Sequence, residues 1–160
     1  NVTIILSEDR DDTPALQSLY ADLVAQLTQW ADVDVRILPH LYDLDPDGPG
    51  MQCLQSVEGD MIVLAPLFPR ATYWLLRDNE VVGRFGSSES DGSDSDVSQR
   101  TIWCLDSRCQ DSESLMAEIE RIVTESTGKP PAPLSPEAPT CSNFAKRPST
   151  TPRRWRWPPN

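Results

Sequence analysis

One stretch, residues 59–78 (GDMIVLAPLFPRATYWLLRD), limits the fold more than any other part of the chain. Met61, Ile62, Val63, Leu64 and Ala65 form an unbroken apolar run, with turn formers ahead of it and Pro66 behind. A strand exposed on one face alternates apolar and polar residues; a run without alternation predicts a strand covered on both faces. That requires a sheet with helices on either side. After a short turn at residues 67–70, residues 71–78 are predicted to be helical, with Ala71, Trp74 and Leu75 sharing the inner face. In open α/β sheets, ligands lie outside the carboxyl ends of the strands. Residues 66–70 are therefore expected to border any site.

The flanking segments repeat the alternation. Residues 2–6 (VTIIL) read as the first strand and polar residues 7–12 as its loop. Thr13 and Pro14 then start a helix predicted over residues 14–30, because Leu16, Leu19, Tyr20, Leu23, Val24, Leu27 and Trp30 recur at helical spacing. Residues 33–38 (VDVRIL) alternate as a half-exposed strand should, and Met51, Leu54 and Val57 mark a short crossover helix. Residues 80–85 (EVVGRF) form a brief extended piece, outside the predicted sheet, ahead of a solvated loop at residues 86–98. Residues 101–105 (TIWCL) supply the fourth strand, followed by an amphipathic helix to about residue 127. Right-handed crossovers predict a three-layer, doubly wound, four-stranded parallel sheet of order 2-1-3-4, the flavodoxin-like arrangement. Its switch point would set residues 7–12 beside residues 66–70.

From residue 128 the composition changes: nine of the fifteen prolines fall in residues 130–159. Residues 1–127 are read as the α/β domain and residues 128–160 as a disordered, Pro-rich basic tail. The tail carries six basic residues and one acid, so subtracting its +5 from the formal −11 leaves −16 on the domain. An acidic body of that size disfavours nucleic acid and anionic membranes and suits a protein partner. Cys53, Cys104, Cys109 and Cys141 fit neither a redox pair nor a zinc pattern, and are read as reduced thiols of a cytoplasmic protein. No transmembrane segment is expected.

Candidate site residues lie at the predicted strand ends. The first loop, SEDRDD, has no glycines to cradle a phosphate and would repel one. Its carboxylates, Asp9 among them, read as a solvated acidic loop, with magnesium coordination as the sharper alternative. His40 follows the second strand as an ordinary loop histidine or as a proton-transfer group. Arg70 and Arg108 follow strands and either converge on an anion or pair with local carboxylates such as Asp106. Cys104 reads as a core residue and Cys109 as an exposed thiol. Arg153, Arg154, Trp155, Arg156 and Trp157 form an interaction tail, or else a plain solvated linker. No complete catalytic set is present, and no metal site or cofactor is assigned within the chain.

Three motifs, PHLYDL at residues 39–44, the stretch at residues 59–78 and TIWCLDSR at residues 101–108, together resemble the amino-terminal domain of two-part ferredoxin-family proteins. In these, an α/β domain is joined by a Pro-rich linker to an iron–sulfur module. The resemblance covers about residues 1–125, and Arg153, Arg154 and Trp155 look like the start of the segment leading into that module. The cysteine run that would ligate a cluster is missing after Trp157, so an iron–sulfur cluster is implied only in a further module. The resemblance implies a non-enzymatic interaction or regulatory domain serving ferredoxin-type electron transfer, with an electron carrier as partner. The alternative is a chelatase-like enzyme handling a metal or tetrapyrrole in the crevice formed by Asp9, His40, Arg70 and Asp106.

Overall fold

The computed structural model describes residues 1–11, 13–86 and 100–134. Its elements alternate as β1 (Val2–Ser7), α1 (Pro14–Leu27), β2 (Val33–Leu38), α2 (Pro49–Gln55), β3 (Met61–Ala65), α3 (Pro69–Asp78), β4 (Arg84–Gly86), β5 (Thr101–Asp106) and α4 (Ser112–Thr127). A 3-10 turn, Leu41–Asp43, leads out of β2. The sheet is parallel throughout, in the order β2-β1-β3-β5-β4.

The sheet therefore has five strands, not the four expected. The added one is β4, Arg84–Gly86, which pairs outside β5. Its glycines make this possible. A Cβ on Gly83 would come within 2.5 Å of Ile102, and one on Gly86 would run into the Trp103 indole, so only glycine lets the chain lie this close to β5.

Side chains of β3 alternate between two cores. Met61, Val63 and Ala65 face α2 and α3 with Leu54, Tyr73 and Leu76; Ile62 and Leu64 face α1 and α4 with Leu23, Leu27, Ile119 and Val123. All five β3 residues are buried, as an apolar run between two helical layers demands.

Two helices depart from expectation. The first ends at Leu27, and Trp30 lies beyond it, bridged antiparallel to Pro133. The inner face of α3 is Thr72, Tyr73 and Leu76, whereas Trp74 is 59% exposed with Arg77 over its ring. Tyr73 takes the inner position because its hydroxyl donates to the Gly83 carbonyl at 3.0 Å and its ring meets Phe85. Past α4 the chain returns beside the entry to β2. The Ala31 N–H donates to the Ala132 carbonyl at 3.0 Å, and Lys129 pairs with Asp32 at 3.2 Å.

The acidic loop from residue 87 on, Asp12, Cys141 and the expected interaction tail at Arg153, Arg154, Trp155, Arg156 and Trp157 lie outside the described residues. No helix among the described residues is long and apolar enough to cross a membrane.

Candidate functional site at the carboxyl edge of the sheet

The loops leaving β1, β2, β3 and β5 gather at one edge, with the change of winding direction between β1 and β3. A buried set of hydroxyls fixes this edge. Ser7, the last residue of β1, donates to the Pro39 carbonyl at 3.5 Å and accepts from the Leu41 N–H at 3.1 Å. The Tyr20 hydroxyl of α1 lies 2.9 Å from both the Ser7 carbonyl and Ser107 Oγ. A carbonyl only accepts, so Tyr20 donates to Ser7, and the Ser107 hydroxyl donates to Tyr20. The Ser107 N–H in turn donates to the Ala65 carbonyl at the end of β3.

On this base stand two clusters of like chemistry. In one, Arg10 makes two hydrogen bonds to Asp43, Nε at 2.9 Å and a second through Nη2, and its guanidinium lies 5.9 Å from the Tyr42 ring. In the other, Arg108 holds Asp106 through Nε at 3.0 Å and Nη2 at 2.7 Å, and lies 4.6 Å from the Phe68 ring. The forked pairing aligns each guanidinium with a carboxylate while leaving its flat face for an aromatic ring. Both rings are presented to solvent: Tyr42 is 53% and Phe68 is 68% exposed.

The electrostatics follow from these contacts. Burial pushes the Asp106 carboxyl up, but the hydrogen bonds and charge of Arg108 outweigh it and hold the group below the usual value. Arg10 lowers Asp43 in the same way, by hydrogen bonding first. Asp9 is lowered chiefly by the Thr13 hydroxyl, which donates to it at 2.6 Å.

An open cleft of about 670 Å³ runs between the β1–α1 and β5–α4 loops, lined by Asp9, Asp11, Thr13, Pro66, Ser107 and Arg108 among others. Asp9 and Arg108 thus share a cleft, and Asp106 is joined to it through Arg108. His40 and Arg70 do not line it. His40 is buried beside Tyr42, stacked at 5.7 Å between ring centroids, and its Nδ1 accepts from the Tyr42 N–H at 3.2 Å. Nδ1 is thereby an acceptor and the ring proton sits on Nε2; the residue caps the 3-10 turn. Arg70 is exposed in the first turn of α3. Cys104 is buried, which pushes its thiol up and keeps it protonated, while Cys109 is exposed.

Asp9, His40, Asp106 and Arg108 are legible as strand-end residues, whereas the roles of Ser7, Tyr20, Ser107 and the two exposed rings are not. An aromatic residue in the turn that follows a strand, Phe68 between Pro66 and Pro69 or Tyr42 after His40, is the available signal.

Among the described residues, no three His, Cys, Asp or Glu side chains are grouped so as to hold a metal ion. The arrangement presents two exposed rings and two fixed guanidinium–carboxylate pairs on one edge, with a cleft lined by Asp9, Asp11 and Asp111 beside Arg108. Comparison of the chain with family models, with curated proteins and with solved structures finds no match, so the ferredoxin-family resemblance stands on its motifs alone.

Proposed function

We propose that this is a non-enzymatic interaction domain that docks a protein partner on the carboxyl edge of its sheet, in the service of ferredoxin-type electron transfer in the cytoplasm. The observation that carries the reading is the pair of Asp–Arg–aromatic clusters, Asp43–Arg10–Tyr42 and Asp106–Arg108–Phe68, on one edge. The energetic centres of protein interfaces are enriched in tryptophan, tyrosine and arginine. Here each ring is held in place before binding, so little rotamer freedom is lost on contact. Asp9 and Asp11, which line the cleft beside Arg108, favour a partner with a basic protrusion.

That the partner is an iron–sulfur electron carrier, in trans or as a further module, rests on the three resembling motifs. The chelatase-like alternative asks for a strand-end histidine free to handle a metal or tetrapyrrole. His40 instead uses Nδ1 and one ring face within its own turn, and no observation favours that reading.

The test is calorimetric titration of the full chain with the iron–sulfur ferredoxins of its own cell. Saturable binding is expected, weakened about tenfold or more by Phe68→Ala and by Tyr42→Ala, as for hot-spot rings. No saturable binding, or binding indifferent to both substitutions, would remove the proposal.

A further inference from the structure

The sheet has two edges, β2 and β4, of which β2 is the longer. Backbone direction settles which of its groups are free. The Asp32 and Leu38 carbonyls accept from Val2 and Glu8, on the β1 side, whereas the Ala31 N–H points outward to Ala132. Successive residues of a strand alternate in this respect, so residues 34 and 36 bond toward β1. The N–H and C=O groups of Val33, Val35 and Ile37 face away from the sheet. At one end this free edge is closed by residues 132–134, which lie against residues 29–31. At the other it is closed by Pro39, where the chain turns away. Three outward-bonding residues remain, centred on Val35.

We propose that two copies of this chain pair antiparallel through β2, about a two-fold axis at Val35, to form one continuous sheet. In that register Val35 bonds with Val35 of the second copy, and Val33 with Ile37, so every free group of the edge is satisfied. The side chains agree. Asp34 stands opposite Arg36 of the second copy, and Arg36 opposite its Asp34, giving two cross-strand opposite-charge pairs. Sliding the pairing two residues either way sets Arg36 against Arg36 or Asp34 against Asp34. The charges thus select one register rather than merely guarding the edge. Within one chain the same two side chains already pair at 2.8 Å, so both are held at the edge where the second copy would arrive.

The apolar surface beside this edge is an independent observation. Val33 and Val35 are only partly buried against the α1 layer, and Ile37 is 53% exposed. Ile37 borders an open groove of about 400 Å³ with Leu16, Tyr20, Ala21 and Val24 of α1. The groove lies on the side from which the second copy's α1 would come. Pairing through β2 would cover it, while Phe68, on the loop after β3, lies two strands away from that edge.

Sedimentation equilibrium of the full chain, native and substituted, tests this. The native chain is expected to be a reversible dimer. Asp34→Arg alone and Arg36→Asp alone each place like charges opposite one another twice, and each is expected to weaken dimerisation about tenfold or more. An equimolar mixture of the two variants restores both opposite-charge pairs and should form a heterodimer, and the double variant should dimerise by itself. Circular dichroism of each variant checks folding, and Ile37→Lys, at an exposed position, should also break the dimer without unfolding the chain. A monomeric native chain, single variants that dimerise normally, or folded single variants whose mixture stays monomeric would each overturn the proposal.

Discussion

The Tyr20 hydroxyl sits where three strand ends meet. It donates to the last residue of β1 and accepts from Ser107 just past β5, whose own N–H reaches the end of β3. Removing the oxygen leaves the Ser7 carbonyl and the Ser107 hydroxyl each short of one partner in a buried place. Tyr20→Phe is expected to cost about 1–2 kcal/mol, read from urea unfolding at neutral pH. The same residue sets a distinct alkaline behaviour. Burial foremost, with the charges of Asp9 and Asp106 adding and the Ser107 hydrogen bond opposing, raises its pKa from 10.0 to about 12. Below 10 both the folded and the unfolded phenol keep the proton, and the stabilisation is whole. Between 10 and about 12 the unfolded chain ionises first, so stability falls as pH rises. The Phe variant should lack that part of the alkaline loss; an unchanged alkaline slope would contradict the assignment. The periodicity of α1 correctly turned Tyr20 inward, but its hydroxyl's partners stand 13 and 87 residues away in the chain. Short-range spacing carries no trace of contacts that distant.

At the scale of the element, β4 shows how a local signal can point the wrong way. Residues 80–85 carry one glycine, Gly83, and a second, Gly86, follows directly, a pattern that ordinarily weakens a strand. Here the missing Cβ atoms are what let β4 approach β5, with the Trp103 ring covering Gly86 across the pair. Gly86→Ala forces a methyl group into an indole that already has Arg121 5.7 Å from its ring centre. Overpacking of this kind costs about 1–3 kcal/mol. The variant should lose hydrogen-exchange protection at Arg84–Gly86 while β1 and β3 keep theirs. Equal loss across all strands would mean that β4 is no separate edge element. The α3 face has a related cause. Tyr73 and Trp74 are adjacent aromatics that point to different faces, and apolarity alone does not rank them. What turns Tyr73 inward is a carbonyl of the following segment, and no helix periodicity encodes it.

For the whole molecule, legibility divides along the line between burial and pairing. The five-residue run of β3 announced a two-sided core, and the turn formers after each strand located the carboxyl edge where Asp106 and Arg108 meet. Which carboxylate each arginine takes depends on loop geometry, so Arg10–Asp43 and its stacked Tyr42 were not legible. Those pairings also govern the acid response. Neutralising a chain of formal charge −11 relieves self-repulsion and taken alone would stabilise it on acidification. The individual carboxylates oppose this. Among the described residues Asp9, Asp43, Asp106 and Asp111 are all lowered, by hydrogen bonds from Thr13, Arg10, Arg108 and Ser114, at Asp106 against the upward push of burial. A carboxyl lowered in the folded state contributes fully above the unfolded value of 3.8, and that contribution is lost as pH falls through the folded value. In the unfolded chain these groups take up protons first, so stability should decline from about pH 5 downward, the opposite of what self-repulsion predicts. Asp106→Asn should lower stability at pH 7, because Arg108 loses its anchor, and should flatten the acid limb. Added salt at pH 7 screens the repulsion and should raise the melting temperature of both chains alike. Denaturant unfolding from pH 3 to 7 separates the two effects, and a chain that grows more stable as pH drops below 4 would show self-repulsion to be the stronger.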